Sequence, residues 1–290
     1  MRALSRRGFA AALAGLTVAG AFAGGPAVAR PFDEVMASGV LRVAIYDDNR
    51  PFSEAGQAGP RGIDADLARA IAERLKLKLD LRVVDAGENV DGDFRLNLWR
   101  GDLAGTPLAD LMLHVPHDRI LATRNEQIFL TTPYFEQRLA FAYHRGRIEG
   151  FEGVRDLEGN AVAVEGTSAS DSLLMNAEGG RFRGTIRHFR SFDEAAKAYL
   201  AGETPILAGT RAGIEAALAA AGAAGEDNPV VEVPIPGLVR TRWEIGGAVR
   251  SDSRDLAYAV GDALAALAQE GRLKAICATY GVTYTAPQGY

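Results

Sequence analysis

The sequence predicts an α/β fold made of two similar units, each a parallel sheet flanked by helices. Apolar, partly β-branched runs of strand length alternate with segments whose apolar residues recur at helical spacing. A strand, a glycine-containing turn and a helix appear in that order in both halves, although the halves do not repeat in sequence. The chain has 290 residues, enough for one large domain or two small ones.

In the first half, Gly39-Val40-Leu41-Arg42-Val43 opens a strand that runs from Leu41 to Tyr46. Asn49-Arg50-Pro51-Phe52-Ser53 follows as a turn. Gly62-Ile63-Asp64-Ala65-Asp66-Leu67 starts a helix, with Asp64 or a neighbour as its cap and Leu67, Ala70, Ile71 and Leu75 on one face. Strands are expected at Leu79–Val84 and Ala109–Val115, with a helical stretch near Leu96–Trp99 between them. Thr131-Thr132-Pro133-Tyr134-Phe135 precedes a strand at Leu139–Tyr143.

The second half begins at the charged stretch His144–Gly150, followed by a short helical segment expected at Phe151–Leu157. Strands are expected at Asn160–Val164, Thr185–Phe189, Pro205–Ala208, Val230–Ile235 and Trp243–Val249. Gly166-Thr167-Ser168 caps a helix at Ala169–Met175, and Ser191 caps another at Phe192–Ala201. An Ala-rich helix is expected at Ala212–Ala224, and one or two amphipathic helices between Asp252 and Tyr280.

The N-terminus reads as an export signal. Ser5-Arg6-Arg7-Gly8-Phe9 is a twin-arginine pattern, Ala10–Ala23 carries no charge, and Ala27-Val28-Ala29 is an A-x-A cleavage site. The apolar run is too short to span a bilayer. Cleavage after Ala29 would leave 261 residues, free in a bacterial periplasm and with no membrane insertion. The whole chain has a net charge of −5, and the signal segment holds three Arg and no acid, which puts the remainder at −8. An acidic surface argues against nucleic acid or anionic membrane as a partner. Cys277 is the one cysteine, so no intrachain disulfide can form; it reads as a small buried hydrophobe.

The order and spacing of the four first-half motifs resemble the first lobe of the family 3 extracellular solute-binding proteins, receptors of ABC transporters. The resemblance implies a two-lobed periplasmic binding protein of type II, a mixed sheet in each lobe and two hinge crossings. Lobe 1 is expected at about 38–143 plus 251–290 and lobe 2 at about 144–250. It implies a monomer that captures a small molecule by lobe closure and hands it to an ABC permease, with no enzymatic activity and no cofactor.

Ligands of α/β sheets sit at the carboxyl ends of strands. In the loop after the first strand, Phe52 offers a ring face and Asp47 or Asp48 a carboxylate; the same loop reads equally as a solvated turn set by Pro51. The resemblance favours Phe52 and Tyr46 as apolar walls. It also maps a carboxylate-binding arginine onto Arg119, within His114-Val115-Pro116-His117-Asp118-Arg119, although the spacing is shorter than usual and Pro116 replaces a Thr. A guanidinium fork suits a carboxylate, and a surface residue is the other reading of Arg119. Gly166, Thr167 and Ser168 could receive an anion at a helix N-terminus as well as cap it.

Family members that bind amino acids carry an Asp where this chain has Gly209, in Ala208-Gly209-Thr210-Arg211. An α-ammonium without a counter-charge is costly. The expectation is therefore a carboxylate-bearing solute lacking the amine, with Arg211 adding positive charge. Asp48-Asn49-Arg50-Pro51-Phe52-Ser53, Asp110 with Val115-Pro116, and Gly209-Thr210-Arg211-Ala212-Gly213 also resemble the methanol-dehydrogenase-associated branch (MxaJ/XoxJ type). That resemblance implies an accessory to a periplasmic PQQ-dependent quinoprotein dehydrogenase. Some proteins of this fold are prephenate or arogenate dehydratases, for which Glu126, Glu136 or Glu165 would supply a general acid. His114 and His117 make an H-x-x-H, but Pro116 breaks any helix there and no metal site is expected.

Overall fold

A computed structural model describes residues 30–233 and 241–288. The export signal and its cleavage site lie outside the described residues, as do the end of the strand expected at 230–235 and the last two residues.

Five strands form one sheet: β1 (Val40–Tyr46), β2 (Lys78–Val84), β3 (Leu111–Pro116), β4 (Ile128–Leu130) and β10 (Arg242–Arg250). A second sheet holds β5 (Phe135–Tyr143), β6 (Val162–Glu165), β7 (Ile186–Phe189), β8 (Ile206–Thr210) and β9 (Val230–Val231). β1 pairs in parallel with β2 and β3, and β6 in parallel with β7 and β8. The two sheets join where Arg242–Ile245 of β10 pairs antiparallel with Phe135–Arg138 of β5. Beyond that join, β5 continues beside β8 and β10 continues beside β3 and β4. Each of these nine-residue strands therefore runs through both sheets.

Alternation along the strands divides the packing. Val43 and Ile45 of β1 meet Leu67 and Ile71 of α2 (Ile63–Arg74), together with Val260 and Leu264 of α8 (Arg254–Gln269). Ala44 and Tyr46 point the other way, to Phe94 of α3 (Val90–Phe94) and Leu98 in the π-helical turn that follows. In β5, Leu139, Phe141 and Tyr143 pack with Leu173 and Leu174 of α5 (Ala169–Asn176). Ala140 and Ala142 on the opposite face leave room for Tyr199 of α6 (Phe192–Leu200) and Leu218 of α7 (Arg211–Ala220). A side-chain period of two along a strand covered on both faces accounts for this division. The C-terminal helix α9 (Arg272–Thr279) returns to the first sheet, burying Leu273 and Cys277. Burial and then the nearby Asp64 push the Cys277 thiol up to about 12, which keeps it an unreactive hydrophobe.

Several expectations are corrected. The N-cap of α2 is Gly62, and Asp64 lies inside the first turn, buried. Helices α1 (Phe32–Ser38) and α4 (Arg119–Arg124), and strand β4, are additional elements. The segment at 151–157 is a short 3-10 turn, Val154–Leu157. β5 begins at Phe135 rather than Leu139, because Phe135–Arg138 is the stretch that pairs with β10.

Gly62 has φ 120°, and a Cβ there would lie 2.2 Å from the Phe52 carbonyl oxygen. Gly39 has φ 66° with open space around it. Gly62→Ala is expected to cost more than about 3 kcal/mol, overpacking and strain together, and Gly39→Ala about 1–2 kcal/mol. Urea unfolding of both variants checks this; equal losses would remove the steric account.

Candidate functional site

A cavity of about 290 Å³ lies where the two sheets meet. Asp48, Arg50, Phe52 and His114 come to it from the first sheet and its loops. Glu165, Ser168 and Ser170 come from the second sheet and the start of α5, and Ser191, Phe192 and Asp193 from the start of α6. Gln137 and Trp243 project from the joining strands β5 and β10.

His114 reaches the cavity through a β-bulge. Gly246 of β10 is opposite Val115 and Gly247 is opposite Leu113, so His114 has no partner in the ladder. Its φ is 60°, and such a bulge re-aims a side chain. The ring lies 4.4 Å from that of Phe52, centroid to centroid. Its Nδ1 lies 3.0 Å from Oδ2 of Asp64, a carboxylate with no exposed surface. The Tyr134 hydroxyl donates to Asp64 Oδ1 at 2.5 Å and accepts the His114 backbone N–H at 3.1 Å. Burial, reinforced by Asp64, holds the Tyr134 phenol well above its ordinary value, so it remains a donor. The N-terminal turn of α2 adds a favourable dipole for the buried charge.

The rest of the wall is acidic. Burial raises the Glu165 carboxyl above its ordinary value, and the Asp48 and Asp193 charges add to this. Arg50 does not offset them as a free cation. Its Nε donates to Glu54 and its Nη1 to Asp193, each at 2.7 Å, so the latter bond crosses from the first-sheet loop to α6.

Phe52 and Ser168 line the cavity. Ser168 Oγ accepts from the Asp171 N–H at 3.1 Å and donates to the Glu165 carbonyl at 2.7 Å, a cap on α5. Gly166 and Thr167 stand beside the cavity with their N–H groups used, on Phe189 O at 2.9 Å and Asp171 Oδ2 at 2.8 Å. Tyr46 lies elsewhere, since β1 turns it to the α3 layer, where its hydroxyl donates to Asp93 at 2.8 Å. Arg119 is exposed at the first position of α4, and its guanidinium has no partner among the described residues. Arg211 is paired to Glu215 and Glu232, each at 2.7 Å, away from the cavity.

Gly209 does line the cavity, and a Cβ on it would lie 2.4 Å from the Phe192 ring. The ring occupies the space that an aspartate there would need. Arg50, His114, Gln137 and Asp193 are among the wall residues to which the sequence assigned no ligand role. The Gly246-Gly247 pair, facing a β3 that carries a histidine, was the one signal for the bulge. Among the described residues no group of three His, Cys, Asp or Glu side chains is arranged to hold a metal ion, and no helix is long and apolar enough to cross a membrane.

No protein-family model matches the chain. The L-cystine-binding protein TcyJ of Escherichia coli (strain K12) is 24% identical over 249 residues, covering 84% of this chain and 83% of TcyJ. Among solved structures, the ancestral cationic amino acid solute binding protein AncCDT-1 superposes with a TM-score of 0.66 at 22% identity, over 86% of this chain and 98% of that one. A second AncCDT-1 structure, at TM-score 0.57 and 21% identity over 86% and 98% of the chains, is described as a precursor of cyclohexadienyl dehydratase. A polar amino acid ABC uptake transporter substrate binding protein from Streptococcus thermophilus gives 0.67 at 15% identity, over 88% and 91%. The resemblance read from the four first-half motifs is therefore met in three dimensions: the chain has the two-lobed α/β fold of the family 3 solute-binding proteins.

Proposed function

We propose that the protein is a solute-binding protein that closes on a small amine-bearing solute and delivers it to an ABC permease. A lobe of about 38–143 plus 251–290 would close on one of about 144–250, hinged along β5 and β10. The observation that carries this reading is the inter-sheet cavity with Asp48, Glu165 and Asp193 on its walls and its arginine already paired. Such a wall favours a protonated amine or guanidinium over the simple acid expected from the missing aspartate at Gly209. The first-turn N–H groups of α5, at Ala169 and Ser170, border the same cavity and suit a carboxylate on the same solute. The volume lies at the small end for ligand pockets, the size of an amino acid. The similarity to TcyJ and AncCDT-1 supports the same class.

The test is thermal unfolding against L-arginine, L-ornithine, putrescine, succinate and neutral sugars. Ligand at 100 times its Kd adds about 2.7 kcal/mol, or about 5–10 °C for a chain of this size. Arginine, ornithine or putrescine should raise Tm by that amount and succinate should not. A shift with succinate alone would reverse the charge assignment, and no shift with any compound would remove the solute reading.

Glu165 gives a second test. Because its folded pKa is raised, ionisation at neutral pH opposes folding. The stability it contributes is full below its ordinary value of 4.5 and falls as pH rises through the folded value. Glu165→Gln should therefore melt above wild type at pH 7 without solute, with the advantage vanishing below pH 4.5, while amine binding weakens. A variant that melts lower at pH 7 would reject this account.

One observation favours a second reading. A cleft carboxyl held above its ordinary pKa is what a general acid requires, and Glu165 is one. A cleft dehydratase would convert prephenate, and Glu165→Gln would abolish turnover while leaving binding. Absence of product with the wild-type protein rejects it.

A further inference from the structure

We propose that His114 reads the solute directly, presenting Nε2 to the cavity as a hydrogen-bond acceptor, and that buried Asp64 is the positioning residue that sets this tautomer. This rests on the solute-binding reading and names the residue that selects a donor-bearing group.

An ionised carboxylate only accepts hydrogen bonds. Asp64 uses Oδ1 for the Tyr134 hydroxyl and Oδ2 for His114 Nδ1 at 3.0 Å. The bond to Oδ2 therefore places a proton on Nδ1, and in a neutral imidazole of that tautomer Nε2 keeps its lone pair. Among the described residues nothing bonds Nε2, and the ring lines the cavity. Its orientation is held three ways: by the bulge, by the Tyr134 hydroxyl on its backbone N–H, and by the Phe52 ring 4.4 Å away. The charged groups of the cavity wall are Asp48, Glu165 and Asp193, with Arg50 paired to Asp193. A fixed acceptor among three carboxylates matches a solute with several N–H donors, an ammonium or guanidinium group. The buried carboxylate has no exposed surface, so its influence on solute passes through the imidazole.

Two measurements test this. In the solute-free wild-type protein, ¹⁵N NMR of the histidine side chains should show His114 with a protonated Nδ1 and a bare Nε2. Asp64→Asn, whose amide can donate to Nδ1, should move the proton to Nε2, as a misassigned tautomer does in other Asp–His pairs. Titration with L-arginine, L-ornithine and putrescine should give at least tenfold weaker binding for His114→Ala and for Asp64→Asn, each measured well below its own unfolding transition. His114→Gln, which retains an acceptor, should recover part of the loss. An imidazolium or an Nε2–H tautomer in the wild type would overturn the proposal, as would His114→Ala binding within twofold of wild type. Failure of the wild type to bind any of the amines overturns the parent reading instead, and the two failures are distinguishable because the tautomer is read without solute.

Discussion

The buried carboxylate of Asp64 ties together the first-half motifs. It sits in the first turn of α2, accepts from Tyr134 of the Thr-Thr-Pro-Tyr-Phe segment, and meets the His114 ring on the bulged β3. Its own backbone N–H donates to the Phe52 carbonyl at 2.8 Å, which anchors the loop that carries Asp48 and Arg50. A buried charge of this kind is tolerable only while each oxygen keeps its partner, and losing one costs about 3–5 kcal/mol. Four separate chain segments are thereby held in one arrangement, and two of them, the 48–52 loop and β3, contribute a cavity wall.

The joining strands set where that wall faces. β5 and β10 pair at Phe135–Arg138 and Arg242–Ile245 and continue on opposite sides of the join. The carboxyl ends of β6 and β8 are thus brought opposite those of β1 and β3, and Gln137 and Trp243 lie between them. A ligand cavity at converging strand ends follows the general rule for α/β sheets. The Arg50–Asp193 ion pair spans this cavity and links the first-sheet loop to α6. Burial and then the Asp48 and Asp193 charges raise the Glu165 carboxyl, so the mutual repulsion of these groups opposes folding.

Fold class, the alternation of strand and helix, and the cap residues Ser168 and Ser191 were legible in the sequence because they depend on local periodicity and on side-chain to backbone bonds a few residues apart. Phe52 reaches the cavity wall from the loop after β1. Tyr46 was not separable from it, since which face of β1 meets the cavity depends on what covers each face. Arg119 and Arg211 illustrate the same limit. Both are cations at helix starts, yet one is exposed on α4 and the other is paired to Glu215 and Glu232. Glu232 and Arg211 are 21 residues apart in sequence, which is why local pattern does not report the pair.

By itself the sequence determined two α/β units, their strand–turn–helix order and a receptor-like resemblance, all products of short-range patterning and turn chemistry. Tertiary structure alone decided the character of the cavity. It placed Asp48, Glu165 and Asp193 together, used Arg50 as a bridge, put the Phe192 ring where an aspartate at Gly209 would stand, and turned His114 inward through a bulge. Each of these depends on residues far apart in the chain being brought within a few ångströms, and electrostatic and steric effects act over that distance rather than along the sequence.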